Sequence, residues 1–338
     1  MYLRGVANVA RVGYKLLYDS KFTDLLPARG KGGALKSMLA RDVGLTFAGG
    51  GNKSFYQFGM MRALRERVLP RVGCVAACSA GACMAALILS GRDREVEEFW
   101  RRECYGITRN FEWPRLLSGQ SPMRHESIYR ASLLHAFSGG GFERVRAQPF
   151  PFLVITTAFP KRMPALAAAL LGLCLYNLQN GRARRRRETP LALSAGFAPV
   201  VYDARDANSP EELADLIIAT SATPPFTSIG RFAGRRLLDG GIIDIAPASL
   251  ADAQPHVTRN IVLLTSPLPP DLKNERGRRF YIAPLTSLPL KTWDLTRPDL
   301  IDAVIDQGER DAETYSTRLA EFLNEPVAVL TDPVGVRS

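Results

Sequence analysis

Residues 42–53 (DVGLTFAGGGNK) and 72–83 (VGCVAACSAGAC) determine the predicted fold. Each segment begins with a short apolar run, breaks at small residues and leads directly into a stretch with helical spacing. Short apolar runs bounded by turn residues are typical of strands that are buried on both faces of a parallel sheet. Strand, tight turn and helix, repeated twice, is the βαβ pattern of such a sheet with helices on its faces.

The rest of the chain extends this pattern. The two helices of this pattern are expected over residues 54–68 and 80–90. We expect two more helices over 210–220 and about 299–323, and three more strands over 152–157, 191–195 and 260–265. Neither an internal repeat nor a clear linker divides the chain. The sequence therefore predicts one α/β unit with insertions.

The composition restricts the class of protein. Hydrophobic residues make up 46% and charged residues 23%, which excludes disordered, collagen-like and coiled-coil proteins. The five cysteines form no CxxC pair, which argues against a zinc site or a disulfide framework and predicts a reducing compartment. The formal net charge of +11 suits nucleic acid or an anionic lipid surface, and charge alone does not choose between them. No helix-turn-helix, zinc spacing or aromatic-basic RNA motif supports nucleic acid.

Two segments combine apolar and basic residues. Residues 3–17 place their apolar side chains on one helical face, as in a basic interfacial helix or a helix that packs on its own domain. Residues 165–178 (ALAAALLGLCLYNL) are shorter than the ~20 apolar residues of a spanning helix. Five arginines follow them: Arg182, Arg184, Arg185, Arg186 and Arg187. This segment fits either a helix at an anionic bilayer surface or a buried helix before a solvated loop.

Ser79 is the candidate nucleophile. It lies where the second strand turns into a helix, within Ala77-Cys78-Ser79-Ala80-Gly81, which is the G-x-S-x-G elbow with Ala77 in the first glycine position. The elbow needs small neighbours, because the strand and the helix approach each other closely around it. On its own, the same pattern also occurs wherever a helix packs tightly on a sheet.

Gly49, Gly50 and Gly51 form a glycine loop before Asn52 and Lys53, and this loop is a candidate anion site. Its backbone N–H groups are unobstructed by side chains and can converge on a developing oxyanion. A dinucleotide site is the rival interpretation, but Ser54 occupies the third glycine position of G-x-G-x-x-G. A Walker P-loop also fails, because Asn52 separates the glycines from Lys53.

Asp239 is the candidate acid, because it follows an apolar run and precedes two glycines. Of the three histidines, His125, His135 and His256, only His256 follows Asp239, as the Ser, acid, His order of α/β-hydrolases requires. The sequence around His256 indicates a loop that leads into a strand. Without a histidine, a carboxylate in a water-poor cleft must take the serine proton directly, and desolvation makes it a stronger base.

In this order and spacing, the motifs GGGNK, ACSAG and DGG resemble those of the patatin-like phospholipases. The segments 219–226 (ATSATPPF) and 240–247 resemble the same family, and the likeness spans residues 42–251. Two positions depart from the family pattern. Ala77 replaces the elbow glycine, and Ser54 replaces the glycine that follows the basic residue of the loop.

The resemblance implies a three-layer α/β/α sandwich with a mainly parallel central sheet. It implies a Ser–Asp dyad, Ser79 and Asp239, that works without histidine, catalytic metal or cofactor. An oxyanion hole is expected at Gly49, Gly50 and Gly51. Supporting residues are expected at Lys53, Ala77, Gly81, Gly240 and Gly241.

The expected organisation has three parts: a basic helical extension (1–40), a patatin-like catalytic domain (41–265) and a helical completion of that domain (266–338). An apolar and arginine-rich insertion occupies 160–190.

The expected function is hydrolysis of phospholipid or lysophospholipid esters at an anionic membrane surface, by a cytoplasmic protein that associates peripherally with membranes. The alternatives are a non-catalytic lipid- or nucleotide-binding protein, and a thioesterase or neutral-lipid lipase on the same fold.

Overall fold

A computed structural model describes residues 41–112, 115, 123–180, 190–268 and 275–324. The predicted helix over 3–17 and the arginines at 182–187 lie outside these residues. One sheet contains nine strands within the described part of the chain: β1 (Val43–Phe47), β2 (Val72–Cys78), β3 (Phe152–Ala158), β4 (Ala198–Asp203), β5 (Gly230–Phe232), β6 (Arg235–Leu238), β7 (Arg259–Leu263), β8 (Glu275–Arg276) and β9 (Arg279–Ile282).

Ten α-helices are present in the same residues: α1 (Phe55–Val68), α2 (Ala80–Ser90), α3 (Asp93–Cys104), α4 (His125–Phe137), α5 (Gly141–Arg146), α6 (Ala165–Asn180), α7 (Leu191–Ser194), α8 (Pro210–Thr220), α9 (Ala248–Asp252) and α10 (Asp299–Asn324). Across the described ranges, no helix combines the length and the apolar character needed to cross a bilayer.

The centre of the sheet is parallel. Strands β3, β2, β1, β7 and β9 pair in that order, all in parallel, while β4, β5, β6 and β8 add antiparallel pairs towards the two edges. Parallel neighbours need crossover connections, and the helices between them supply these. The predicted α/β class with a mainly parallel sheet is confirmed.

Helices cover both faces of the sheet. In β2, Val75 and Ala77 point into a large core formed with α1, α2, α3, α4, α5, α8 and α10. Cys74 and Cys78 point the other way, towards Leu250 of α9. Because both faces are covered, every residue of β1 and β2 is buried. This arrangement is the three-layer α/β/α sandwich that the sequence predicts.

The predicted strand over 191–195 is wrong. Residues Leu191–Ser194 form helix α7, and the edge strand β4 begins only at Ala198. The run consists of Leu, Ala and Ser without a β-branched residue, and Leu and Ala are good helix formers. Gly196, at φ 87°, then ends the turn and redirects the chain into β4.

Helices α1 and α10 touch through their backbones. A Cβ atom on Gly59 would lie 1.9 Å from the carbonyl oxygen of Ile305, and one on Gly308 would lie 2.3 Å from the carbonyl oxygen of Tyr56. The Tyr56 hydroxyl also donates a hydrogen bond to Asp311 Oδ2 at 3.0 Å. Helix α10 is therefore part of the core and packs directly on α1.

The α1–α10 contact gives a stability prediction. Gly308→Ala should lower the free energy of unfolding by about 1–3 kcal/mol, because the added methyl forces the two helices apart. Chemical denaturation or thermal unfolding measures the change. Thr314→Ala, on the exposed side of α10, is the matched control and should change stability little. A Gly308→Ala protein as stable as the wild type would show that the close approach is not required.

Candidate active site

The sheet brings Ser79 and Asp239 together although they lie far apart in the sequence. β2 pairs with one edge of β3 as far as Ile155, while β4 occupies the other edge. β6 runs antiparallel and pairs with Thr157 and Ala158. Because β4 already fills the far side at these two residues, β6 lies on the edge that β2 has left. The carboxyl ends of β2 and β6 therefore face each other, and the next residues are Ser79 and Asp239.

The two side chains form a direct hydrogen bond. Ser79 Oγ donates to Asp239 Oδ2 at 2.7 Å, and both residues are buried. Ser79 has φ 53° and ψ −135°, which is a strained conformation for a residue other than glycine. Its N–H donates to Thr220 Oγ1 at 3.1 Å, and its carbonyl accepts from Ala82 N at 2.9 Å. These contacts hold the sharp turn that directs the hydroxyl towards Asp239.

The elbow requires small residues at the predicted positions. A Cβ atom on Gly81 would lie 2.5 Å from the carbonyl oxygen of Ala48, so helix α2 can follow β2 directly only with glycine there. Ala77 is fully buried, and its methyl group points into the main core rather than into the turn. The alanine at this family glycine position is therefore accommodated by packing.

The turn that follows β6 fixes the Asp239 carboxylate. Its Oδ1 accepts a hydrogen bond from Gly241 N at 2.7 Å. The Asp239 N–H donates to the Ala222 carbonyl at 2.7 Å, and its carbonyl accepts from Thr157 Oγ1 at 2.8 Å. A Cβ atom on Gly240 would lie 2.3 Å from the carbonyl oxygen of Ile155. Both glycines therefore allow the carboxylate to approach β3 and Ser79.

Burial determines the proton affinity of this carboxylate. Removal from water raises the pKa of Asp239 from 3.8 to about 6, although hydrogen bonds from Ser79, Gly241 and Cys78 act in the opposite direction. At neutral pH the group is ionised, yet it is a stronger base than a solvated aspartate. A carboxylate in this state can accept a proton from the hydroxyl it contacts.

The glycine loop packs tightly beside the nucleophile. A Cβ atom on Gly49 would lie 3.0 Å from Ser79 Cβ, and one on Gly50 would lie 2.3 Å from Thr265 Oγ1. Gly51 has φ 57°, a left-handed conformation that favours glycine. Thr265 Oγ1 also donates to the Gly49 carbonyl at 2.8 Å. Thr265 therefore helps to hold the loop at this position.

One of the three predicted oxyanion donors is already engaged. Gly49 N donates to the Ile245 carbonyl at 2.8 Å, so this N–H does not point to a free anion position. The amides of Gly50 and Gly51 remain as candidates within the loop. Ala80 begins α2, and the first amides of a helix have no acceptor within it. The Ala80 N–H is thus a further candidate donor that the sequence analysis did not name.

Asn52 connects the loop to a distant part of the chain. Its N–H donates to the Thr292 carbonyl at 2.9 Å, and its Nδ2 donates to the Asp294 carbonyl at 2.8 Å. Its Oδ1 lies 3.2 Å from His125 Nε2. Sequence reasoning treated Asn52 only as a spacer. A polar residue inside a small-residue loop was the one available signal, and nothing in the sequence indicated its partners.

None of the three histidines hydrogen-bonds to Ser79 or Asp239. His125 is buried, and burial lowers its pKa to about 4, so it is neutral at pH 7. Since Asn52 Nδ2 donates to Asp294, the Oδ1 is the acceptor and His125 Nε2 is the donor. His256 bonds to the Gly73 carbonyl at 3.0 Å, at the far end of β2 from Ser79. His135 stacks on Phe99 with ring centroids 4.8 Å apart.

An apolar pocket opens beside Ser79. Side chains of α2, α3, α4 and α8 form most of its wall, together with Trp293 and the end of the glycine loop. The lining residues are Gly51, Asn52, Phe55, Ser79, Ala80, Cys83, Met84, Leu87, Val96, Trp100, His125, Glu126, Tyr129, Ser132, Ile218, Ser221, Thr227 and Trp293. Lys53, predicted as a supporting residue, is half-buried and is not part of this wall. Such a pocket suits an apolar ligand whose polar end lies at Ser79.

The part of the chain that the structure describes contains no group of three or more His, Cys, Asp or Glu residues positioned to hold a metal ion.

Comparison with known proteins identifies the family. The sequence profile described as Patatin-like phospholipase matches residues 45–252, which is more than half of the chain and includes Ser79 and Asp239. No curated protein sequence matches the chain.

Several solved structures are similar to this chain, and two of them serve as examples. VipD from Legionella pneumophila is 13% identical, with a TM-score of 0.41, over 82% of this chain and 66% of that one. The type III effector protein ExoU is 14% identical, with a TM-score of 0.36, over 85% of this chain and 54% of that one. The chain thus spans less than two thirds of the length of both structures. The assignment rests on the family profile: the chain belongs to the patatin-like phospholipases, a family of lipid acyl hydrolases.

Proposed function

We propose that this protein cleaves carboxylic ester bonds of phospholipids or lysophospholipids, with Ser79 as nucleophile and Asp239 as general base. The observation that carries the proposal is the 2.7 Å hydrogen bond between Ser79 Oγ and Asp239 Oδ2, beside an apolar pocket. A hydroxyl on a strained elbow, paired with a buried base, is the arrangement of an activated serine nucleophile.

The geometry supports an acyl-enzyme route. Asp239 takes the Ser79 proton as Oγ attacks the ester carbonyl carbon, and the carbonyl oxygen becomes an oxyanion. The amides of Gly50, Gly51 and Ala80 are the proposed donors to that oxyanion. The intermediate collapses with loss of the alcohol or lysophospholipid, which receives the proton from Asp239. Water then attacks the acyl carbon and gives one proton to Asp239. The bond between that carbon and Ser79 Oγ breaks, Asp239 returns the proton to Oγ, and the fatty acid leaves.

The apolar pocket supports a lipid substrate. Its wall includes Met84, Leu87, Val96, Trp100 and Ile218, which offer an acyl chain an apolar surface, and Glu126 is the one acidic residue of the lining. The ester of such a chain lies at the polar end of the pocket, where Ser79 is located. The +11 net charge favours an anionic membrane surface as the source of substrate, and a cytoplasmic, peripherally associated protein. Thioesters and neutral lipids are the nearest alternative substrates, and product analysis with purified protein distinguishes them.

The dyad can be tested with two isosteric variants. Ser79→Ala and Asp239→Asn should each lower hydrolysis of a soluble p-nitrophenyl ester by about 10³-fold or more, because nucleophile and base act as a unit. A fluorophosphonate should label the wild type and not Ser79→Ala. Ser249→Ala is the matched control, since Ser249 is as buried as Ser79 but lies in α9. Near-normal turnover by either dyad variant would exclude the proposed mechanism, and an unlabelled wild type would favour a non-catalytic binding protein.

The pH dependence tests Asp239 as the base. The rate should fall about tenfold per pH unit below pH 6, because the base must be ionised and its pKa is about 6. Unfolding provides an independent measurement. A carboxyl whose folded-state pKa is raised destabilises the fold above that pKa, and this cost disappears as pH falls from about 6 to about 4.

Asp239→Asn removes this cost. The variant should therefore be more stable than the wild type at pH 8, by roughly 3 kcal/mol for a shift of two pKa units. The difference should close near pH 4. A stability difference that stays constant from pH 4 to pH 8 would contradict the raised pKa.

Asn52 should position the oxyanion loop. Asn52→Leu keeps the side-chain size but removes the bonds to Asp294 and His125, so kcat for the soluble ester should fall by about 10²-fold with a smaller change in KM. Asn208→Leu, at an exposed asparagine far along the chain, is the control. Unchanged kcat in Asn52→Leu would show that the backbone contacts of the loop suffice without this side chain.

A further inference from the structure

Helix α6 carries an apolar stripe on its exposed side. The exposed fractions of Leu166, Leu170 and Leu178 are 60%, 48% and 53%. Cys174 is exposed as well, and the spacing of four residues places all four on one side of the helix. Four leucines among the described residues are strongly exposed, and three of them belong to α6. Such a concentration of exposed apolar side chains marks an interaction surface rather than ordinary scatter.

The opposite side of α6 packs against the turn that carries Asp239. Ala168 and Ala169 are buried with Leu238 and Ile242, the residues that flank this turn. The ring of Tyr176 lies 3.7 Å from the position of a Cβ atom on Gly241. Gly241 is the residue whose N–H binds the Asp239 carboxylate. The stripe is therefore on the outer side of a helix that borders the candidate active site.

Basic residues accompany the stripe. Lys161 and Arg162 are exposed and lie in the turn just before α6, which begins at Ala165. Arg236, on the exposed part of β6, lies over the ring of Phe159 at 5.7 Å from its centroid. The sequence contains no Asp or Glu from residue 144 to residue 187. An apolar helix face with cations at its edge, and no acidic residue in its own segment, is complementary to an anionic lipid surface.

We infer that the exposed side of α6, with Lys161, Arg162 and Arg236, docks onto an anionic phospholipid bilayer. The helix has 16 residues and lies in the plane of the interface, with its leucines among the acyl chains and the cations among the headgroups. A second copy of the chain is a poorer occupant, because in a symmetric contact the same surface meets itself, and its own segment has no Asp or Glu from residue 144 to residue 187 to pair with the cations. The inference rests on the proposed function for its substrate, and it names the surface through which the enzyme reaches that substrate.

Vesicle sedimentation tests the docking surface, in a Ser79→Ala background so that the lipid is not hydrolysed. The vesicles contain phosphatidylcholine with or without phosphatidylglycerol. Leu166→Ser/Leu170→Ser should lower partition onto the anionic vesicles by about tenfold or more. Lys161→Gln/Arg162→Gln should lower it by about tenfold on anionic vesicles only, because only these attract the cations.

Matched controls come from elsewhere on the surface. Leu285→Ser changes an exposed leucine outside α6, and Arg102→Gln changes an exposed arginine of α3. Both should bind vesicles like the parent. Unchanged partition of the α6 variants, or an equal loss in the controls, would overturn the inference. A dimer of the parent that the leucine variant converts to monomer in light scattering would assign the stripe to a second copy instead.

The docking experiment is independent of catalysis. Hydrolysis of the soluble ester by proteins that retain Ser79 reports on the proposed function, and vesicle partition reports on the surface. Loss of partition in the α6 variants supports docking even if the wild type proves inactive, and normal partition overturns it even if the wild type is fully active.

Discussion

The candidate site depends on a single strand edge that two other strands share. β2 pairs with β3 up to Ile155, and β6 approaches from the opposite direction and pairs from Thr157. Neither strand can extend further without displacing the other. Ser79 and Asp239 are therefore the first residues to leave the sheet from the two ends, and the 2.7 Å hydrogen bond follows from this register. Hydrogen bonds to Thr220 and to helix α2 maintain the strained backbone conformation of Ser79.

Close backbone approach explains the small residues around this junction. Gly81 and Gly240 each leave room for a carbonyl oxygen of a neighbouring strand, and Gly49 leaves room for Ser79 itself. Ala77 and Ser54, the two departures from the family pattern, differ in how well the structure accommodates them. Ala77 points its methyl group into the core, where alanine packs well. Ser54 is fully buried, and its hydroxyl has no hydrogen-bond partner among the described atoms.

Burial controls the charges at the candidate site, whereas the cations near α6 are exposed to solvent. At the site, burial is the largest influence on Asp239, and it raises the pKa of the carboxyl until the group is a useful base near neutral pH. The neighbouring His125 is kept neutral by the same effect, so it adds no positive charge beside the pocket. The cations around α6 lie at the surface, where water and salt screen their charges beyond about one Debye length, whereas Ser79 and Asp239 are buried.

The sequence alone predicted the α/β class with a mainly parallel sheet, and it named Ser79 and Asp239 as a candidate pair. Among the described elements it predicted five of the ten helices and four of the nine strands, namely α1, α2, α6, α8, α10, β1, β2, β3 and β7. Periodicity and turn residues are local, so β1, β2, α1 and α2 could be predicted from segments of a dozen residues. The run at 191–195 failed because a short apolar segment without β-branched residues is equally compatible with a helix. Ser79 and Asp239 could be named because each lies at the end of an apolar run beside glycines.

Only the tertiary structure decided how these pieces work together. It showed that Gly49 N donates to Ile245 and that Asn52 is bonded to Thr292 and Asp294. These partners lie between 196 and 242 positions away in the sequence. It also showed which side of α6 is exposed and that the other side supports the Asp239 turn. A linear pattern records which residues can form an element. Contacts between distant elements depend on register and packing, which exist only once the chain has folded.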